Sequence, residues 1–268
     1  EQDVLFLLDS FRYVIPSGSL MAGIGNDLQA IPLFNSFVIG LEGDSDSYGA
    51  IMKLDEEQVQ LMKRSCQVGL DLSAFRPKGS SINNAAQVSL GIVPFMKRYR
   101  NSAKEVNHGS VNADLKLNIS VRHPDSESVI EENIASEECP ETHLSLKIDD
   151  DFMEAALADK LYEQCFPIDA NQPKVEKRIY ARKLWEKIVH YIWSGTEMNL
   201  QFWNTVIRES LTSCYADFGF KTISSSPSCE IPFSPYDSCC LLSVNLYSYV
   251  KNPFTDIAEF DSDLFARH

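Results

Sequence analysis

The chain has 268 residues, 44% of them hydrophobic and 23% charged, proportions that exclude a disordered, collagen-like or coiled-coil chain. Its 24 basic and 38 acidic residues give a formal charge of −14. That field repels polynucleotides, so no nucleic acid is expected as a partner, although a local cluster of donors can still hold a small phosphorylated ligand. No stretch reaches the ~20 apolar residues that cross a bilayer, so no membrane partner is expected either. The apolar run at residues 4–8 lacks a basic leader and is too short for a signal peptide. Glu1 in place of an initiator methionine is what a fragment would show. Seven cysteines, with no C-x-x-C pair and no zinc spacing, predict reduced thiols in a cytoplasmic protein.

In chain order, residues 33–39 read as a buried strand after a turn rich in glycine and asparagine (Gly23, Gly25, Asn26). Asp55, with Gln58 three residues on, reads as the N-cap of a helix through Val59, Met62 and Lys63. Leu115, Leu117, Ile119 and Val121 alternate with polar residues, which predicts a half-buried strand. Leu144, Leu146 and Ile148 repeat the pattern. The triplet Asp149-Asp150-Asp151 then caps a helix running towards Lys160, a simpler account of three carboxylates than a metal site. Leu184, Ile188 and Ile192, flanked by Trp185 and Val189, mark one amphipathic helix. Leu200, Trp203, Ile207 and Leu211 mark a second apolar stripe. Residues 222–235 are too rich in serine and proline for a helix, and residues 241–250 read as a strand. Strands separated by helices predict an α/β sheet or barrel.

The candidate chemistry is sparse. The five histidines are dispersed, His123 before Pro124 reads as a strand-end residue, and no metal site is expected. No P-loop or G-x-G-x-x-G is present. Arg76-Pro77-Lys78-Gly79 is a basic turn that is either an anion site or simply solvated. Cys229 beside Glu230, followed by Cys239-Cys240, suits redox or nucleophilic chemistry, against the plainer reading of buried packing thiols.

Several runs in order carry a resemblance. They are Asp55-Glu56-Glu57-Gln58-Val59-Gln60-Leu61-Met62-Lys63-Arg64, Asp71-Leu72-Ser73, Arg76-Pro77-Lys78-Gly79, Gly91-Ile92-Val93-Pro94-Phe95-Met96 and Arg122-His123-Pro124-Asp125. Further on come Ile207-Arg208-Glu209-Ser210, Tyr215-Ala216-Asp217-Phe218-Gly219-Phe220-Lys221-Thr222, Cys229-Glu230-Ile231-Pro232 and Ser234-Pro235-Tyr236-Asp237-Ser238-Cys239, then Leu241 to Val250. Together they resemble the large subunit of ribonucleotide reductases, most nearly the adenosylcobalamin-dependent type. The resemblance implies an α/β fold, the first part of a ten-stranded α/β barrel, as one partial domain over residues 1–268 with a central finger loop at residues 222–240.

It also implies thiyl-radical reduction of ribonucleoside diphosphates to deoxyribonucleotides, with adenosylcobalamin and an external dithiol reductant such as a thioredoxin-like protein. A ribonucleotide substrate, a deoxynucleotide effector and a homodimer of the complete protein follow from it. Catalytic positions carried over are Glu230, Cys239, Ser228 and Ser36, and substrate-binding positions are Ser17, Asn35 and Ser226. Effector positions are Asp44, Ser45, Arg76, Lys78 and Gly79. The finger pattern N-P-C-x-E reads Ser226-Pro227-Ser228-Cys229-Glu230 here, and Ser36 stands where the first reducing cysteine is expected. A serine O–H is too strong a bond to carry the radical, and neighbouring side chains on an extended loop point to opposite faces, which makes Cys229 a poor substitute. The serines therefore predict a chain that does not reduce ribonucleotides, with effector binding or dimerisation as its alternative function. The second specificity loop, residues 109–113, lacks the family's arginine pair, and Gln67 crowds a turn where the family has glycine.

Overall fold

The computed structural model describes residues 2–28, 31–40, 46–83, 86–108, 113–135, 142–226 and 229–268. They form two units, residues 36–238 and residues 1–35 with 239–268. The second of these begins with helix α1 (Gln2–Leu8), strand β1 (Val14–Pro16) and helix α2 (Gly18–Gly23).

The larger unit alternates strand and helix. Strand β2 (Ser36–Ile39) leads to α3 (Tyr48–Met62), β3 (Gln67–Asp71), α4 (Val93–Val106), β4 (Leu115–Ser120), α5 (Ser126–Ala135) and β5 (Thr142–Ile148). Helix α6 (Asp150–Leu157), an antiparallel hairpin of β6 (Leu161–Phe166) and β7 (Val175–Tyr180), and α7 (Ala181–Trp193) precede β8 (Met198–Phe202) and α8 (Trp203–Glu209). Short strands β9 (Ser224–Ser225) and β10 (Pro232–Phe233) pair antiparallel and bracket the loop, and β11 (Asp237–Cys239) follows. One six-stranded sheet has the order β11-β2-β3-β4-β5-β8, and β2 through β8 within it run parallel. No closed barrel is formed by the described residues, which matches the first part of a barrel.

Alternation gives this sheet two different faces. Val68, Leu70, Leu115, Leu117, Ile119, Leu144, Leu146 and Ile148 join Ile51, Leu54, Met96, Tyr99, Leu184 and Ile188 of the helices in one apolar cluster. Each such aliphatic side chain contributes about 1.5–3 kcal/mol of transfer free energy. On the other face Lys116, Asn118, Ser120, Ser145, Lys147 and Gln201 are polar yet buried. Strand β4 is thus buried along its whole length, not half-buried as its alternation suggests, because Ser224, Ser225 and Cys229 lie over the polar side.

Local signals set the start of some helices. Asp149 caps α6 by accepting from the Phe152 N–H at 2.7 Å, and α7 buries Leu184 and Ile188 as its period requires. Asp55, however, is mid-helix. Ser47 caps α3 earlier by accepting from the Ala50 N–H at 3.1 Å, leaving the Asp55 carboxylate to pair with Arg98 of α4 at 2.7 Å. Residues 33–39 yield a strand only from Ser36, with Leu33 and Phe34 exposed. Leu200 belongs to β8, opposite Leu146, and only Trp203 and Ile207 of its supposed stripe are helical. Parallel pairing with β5 overrides the helical spacing there.

In the smaller unit, residues 241–250 break into β12 (Leu242–Val244), a 3-10 turn and β13 (Val250–Lys251). The Asn245 N–H donates to the Tyr13 carbonyl at 2.8 Å and its side-chain amide to Ser248 at 3.2 Å, which ends the strand. Strand β12 pairs antiparallel with β1, and β13 with β14 (Glu259–Phe260), before helix α9 (Ser262–Arg267). Among the described residues, no helix is long and apolar enough to cross a membrane.

Candidate functional site

Ile223, Ser224, Ser225 and Cys229 lie against the polar face of the sheet. Asn118 Nδ2 donates to Ser224 Oγ at 2.7 Å and Gln201 Nε2 to Ser225 Oγ at 2.6 Å. Lys147, only 3% exposed, donates to the Ile223 carbonyl and to Asp71 Oδ2 at 2.8 Å, with its ammonium 4.1 Å from the centre of the Trp203 ring. A Cβ on Gly69 would stand 2.5 Å from the Ser225 carbonyl oxygen. The close backbone approach expected near Gln67 therefore occurs at Gly69, where the absent side chain admits the loop. Gln67 accepts from Ser36 Oγ at 3.1 Å and donates to Asp114 at 2.8 Å instead.

The loop then turns. The Cys229 N–H donates to the Ser226 carbonyl at 2.8 Å, and Cys229 takes a φ of +62°, a left-handed conformation unusual for a residue with a side chain. This turn directs its thiol back to the sheet rather than away from it. Lys116 Nζ donates to Cys229 Sγ at 3.1 Å, Gln201 Nε2 lies 3.3 Å from it, and Ser145 Oγ 3.6 Å. Burial opposes ionisation of this thiol, but the Lys116 ammonium and the hydrogen bonds from Lys116, Ser145 and Gln201 outweigh it and hold the thiol below its ordinary range. The expectation that Cys229 faces the wrong way assumed an extended loop, and the left-handed turn removes that assumption.

The remaining catalytic and substrate positions differ in exposure. Ser228 lies outside the described residues. Glu230 is exposed, Ser36 is buried, and Cys239 is half-buried on β11. Ser226 is buried and its hydroxyl accepts from the Ile231 N–H at 3.3 Å, so it helps to close the turn. In the smaller unit, Ser17 precedes α2 with its hydroxyl 3.2 Å from that of Ser19, while Asn35 Oδ1 is buried with no hydrogen-bond partner.

Of the effector positions, Asp44 and Ser45 lie outside the described residues, as do residues 109–112 of the second specificity loop. Arg76 pairs with Asp46 at 2.8 Å, which brings the stretch just after Ser45 to the basic turn. Lys78 and Gly79 are exposed. The backbone of this turn already holds an anion, because the Asp125 carboxylate accepts from the Lys78 N–H at 3.1 Å and from the Ile92 N–H at 3.1 Å. Gly91 stands at a φ of +84° beside it, where any Cβ would lie 2.3 Å from Asp125 Oδ2. His123 is fully buried in the turn that follows the end of β4: its ring lies 2.8 Å from the Phe75 carbonyl and accepts from the Asp125 N–H at 3.0 Å. Burial holds that imidazole below its ordinary range despite the neighbouring carboxylates.

A cleft of about 600 Å³ opens at the carboxyl ends of β3, β4, β5 and β8, where open α/β sheets bind ligands. It is lined by Asp71, Arg122, Lys147, Asp149, Trp203 and Thr222 among others, and its cations are matched by carboxylates: Arg122 with Asp149 at 3.0 Å, Lys147 with Asp71. Among the described residues no cluster of three or more histidine, cysteine or acidic side chains could hold a metal. Lys116, Ser145, Lys147 and Gln201 are absent from the sequence-derived site. Their signal was the polar half of the alternation in β4 and β5, read there as a solvent face.

The chain is similar to known proteins. A family model for the barrel domain of ribonucleotide reductase matches residues 35–268. The vitamin B12-dependent ribonucleoside-diphosphate reductase of Thermoplasma acidophilum is 26% identical over 207 residues, 76% of this chain and 26% of that protein. The protein of that name from Mycobacterium tuberculosis is 26% identical over 235 residues, 87% of this chain and 32% of the relative. The chain thus spans about a quarter to a third of the length of these curated relatives. The class Id ribonucleotide reductase alpha subunit of Actinobacillus ureae shares the fold, with a TM-score of 0.70 at 19% identity over 95% of this chain and 43% of its own.

Proposed function

The chain belongs to the ribonucleotide reductase barrel-domain family, and from that membership we propose that it supplies the first part of the barrel of a vitamin B12-dependent ribonucleoside-diphosphate reductase, an oxidoreductase of deoxyribonucleotide synthesis. The observation that carries this reading is the seating of Ser224, Ser225 and Cys229 on the buried polar face of the sheet, where Cys229 meets a ring of donors with Glu230 next in sequence. The roles carried over from the family in this reading are proton removal for Glu230, delivery of reducing electrons from a dithiol reductant for Cys239, and ribonucleotide binding for Ser17, Asn35 and Ser226. The orphaned Oδ1 of Asn35 is an acceptor of the kind a substrate hydroxyl would satisfy. The Arg76–Asp46 pair supports a deoxynucleotide effector site built from Asp44, Ser45, Arg76, Lys78 and Gly79. Dimerisation of the complete protein and a cytoplasmic location belong to the same proposal.

The vitamin B12 cofactor of this reading would supply, when bound, the radical that takes a hydrogen atom from a thiol. Cys229, the finger-loop thiol among the described residues, accepts from Lys116 Nζ at 3.1 Å. Ser36, hydrogen-bonded to Gln67, has no thiol for the reducing pair. These two observations favour a second reading, in which the chain binds deoxynucleotide without turnover.

One assay set separates the readings: deoxyribonucleotide formation by the full-length protein containing this chain, with adenosylcobalamin and a dithiol, beside deoxynucleotide binding by calorimetry. Turnover above a cofactor-free blank establishes the reductase and removes the second reading. Binding without turnover, with turnover gained by Ser36→Cys combined with Ser228→Cys, establishes the second.

A further inference from the structure

Two lysines lie buried on the polar face of the sheet. Lys147 is satisfied by the Asp71 carboxylate, the Ile223 carbonyl and the Trp203 ring. Lys116 is fully buried, and its ammonium is met by Cys229 Sγ at 3.1 Å. A buried amine is costly unless an accepting group accompanies it, and the acceptor beside Lys116 is the Cys229 sulfur. The pair is set by the fold. Lys116 stands opposite Gly69 on β3, whose missing side chain lets the loop descend, and the left-handed turn at Cys229 aims the thiol at the amine.

We propose that Cys229 and Lys116 form a peroxide-driven covalent switch, in which the oxidised sulfur of the loop is captured by the lysine amine of β4 as a sulfenamide. The thiolate attacks one oxygen of hydrogen peroxide, the O–O bond breaks, and protonation of the departing hydroxide gives water and a sulfenic acid. Lys116, having surrendered two protons, forms an N–S bond as the S–O bond breaks and a second water leaves. The balance is Cys–S⁻ plus Lys–NH3⁺ plus H2O2 to Cys–S–NH–Lys plus two H2O. Sulfur loses two electrons and peroxide gains them. Two equivalents of thiol, or one dithiol, return the thiolate and ammonium and become a disulfide.

A second observation points to the oxidised state. Gln201 has its Nε2 within hydrogen-bond reach of Asn118 Oδ1, Ser145 Oγ, Ser225 Oγ and Cys229 Sγ, whereas its Oε1 is buried without a partner. A thiolate offers that acceptor nothing. A sulfenic acid brings an O–H donor to the same amide. The groups facing the sulfur are Lys116 from β4, Ser145 from β5 and Gln201 from β8, and Cys229 is exposed enough for a molecule the size of peroxide to reach. Depression of the thiol's ionisation is in keeping with this geometry.

The test is peptide mapping by mass spectrometry of the full chain after brief exposure to hydrogen peroxide, with free thiols blocked before digestion. The expected product is a cross-linked pair of peptides containing Cys229 and Lys116, lighter by two hydrogens than their sum and lost completely on treatment with dithiothreitol. Brief oxidation without dimedone that leaves Cys229 as a sulfenic or sulfinic acid with no cross-link overturns the proposal, as does a Cys229 left unoxidised. Lys116→Arg keeps a cation but resists condensation, so its expected product is the dimedone adduct. Should that variant not fold, the wild-type cross-link decides the matter alone. The link does not depend on the reductase reading, because the mapping needs neither nucleotide nor cobalamin.

Discussion

The Ser225 carbonyl oxygen occupies the place of the side chain that Gly69 lacks, 2.5 Å from where its Cβ would stand. This contact joins Ser225 of the loop to the middle of β3, and the buried polar network depends on it. Gly69→Ala should lift the loop from the sheet. The obstructing atom is backbone and cannot swing aside, so the cost should be about 1–3 kcal/mol, as for other overpacked sites. Urea denaturation reads the loss, and limited proteolysis should show faster cleavage near residue 229. Unchanged protection there would show that the loop is held elsewhere.

Cys229 makes stability depend on pH with a defined sign. Its folded ionisation lies below the ordinary value of 9.0, so the unfolded chain holds the proton over a window in which the folded chain does not. The stabilisation is complete above 9.0 and is lost as pH falls through the depressed folded value. Wild type should therefore gain on Cys229→Ser as pH rises towards that limit, seen in urea midpoints. In Lys116→Met the lowering charge is gone and only the hydrogen bonds from Ser145 and Gln201 still oppose burial, so iodoacetamide labelling of Cys229 near neutral pH should slow several-fold.

Acid should weaken the basic turn through His123. Burial keeps its imidazole neutral in the fold, whereas in the unfolded chain it protonates near its ordinary value of 6.5. Below that value the unfolded state binds a proton that the folded state refuses, and stability falls. Protonation would also cost the bond from the Asp125 N–H and disturb the carboxylate that fills the turn. His123→Gln can still donate to the Phe75 carbonyl, and it should flatten the stability profile between roughly pH 5 and pH 7.5, the imidazole range. An equal slope in variant and wild type would assign the acid sensitivity to another group.

Leu117 is fully buried at the centre of the apolar face. Leu117→Ala should cost about 2–5 kcal/mol, the range for leucine truncation in a packed core. Chemical denaturation measures it, and a cost below that range would mean the sheet collapses onto the cavity.

The sequence alone determined the local elements: the cap at Asp149, the buried stripe of Leu184 and Ile188, the alternation of β4 and β5, and the non-helical loop after Thr222. Each of these depends on neighbours within a few residues, so its period or cap is visible in the string. Its motifs also pointed to the family. What it could not determine was which strand face meets water. Lys116, Asn118, Ser145 and Lys147 have the spacing of a solvated face, and only the loop laid across them makes them interior. The Lys116–Cys229 contact spans 113 residues of chain, and the left-handed turn that creates it belongs to no sequence pattern of Ser, Pro and Cys. The same holds at Asp55, whose place as a cap was taken by Ser47 because α4 supplied Arg98 to hold its carboxylate inside the helix pair. Tertiary structure decided these points because burial changes the energy of a charged side chain far more than any local preference does.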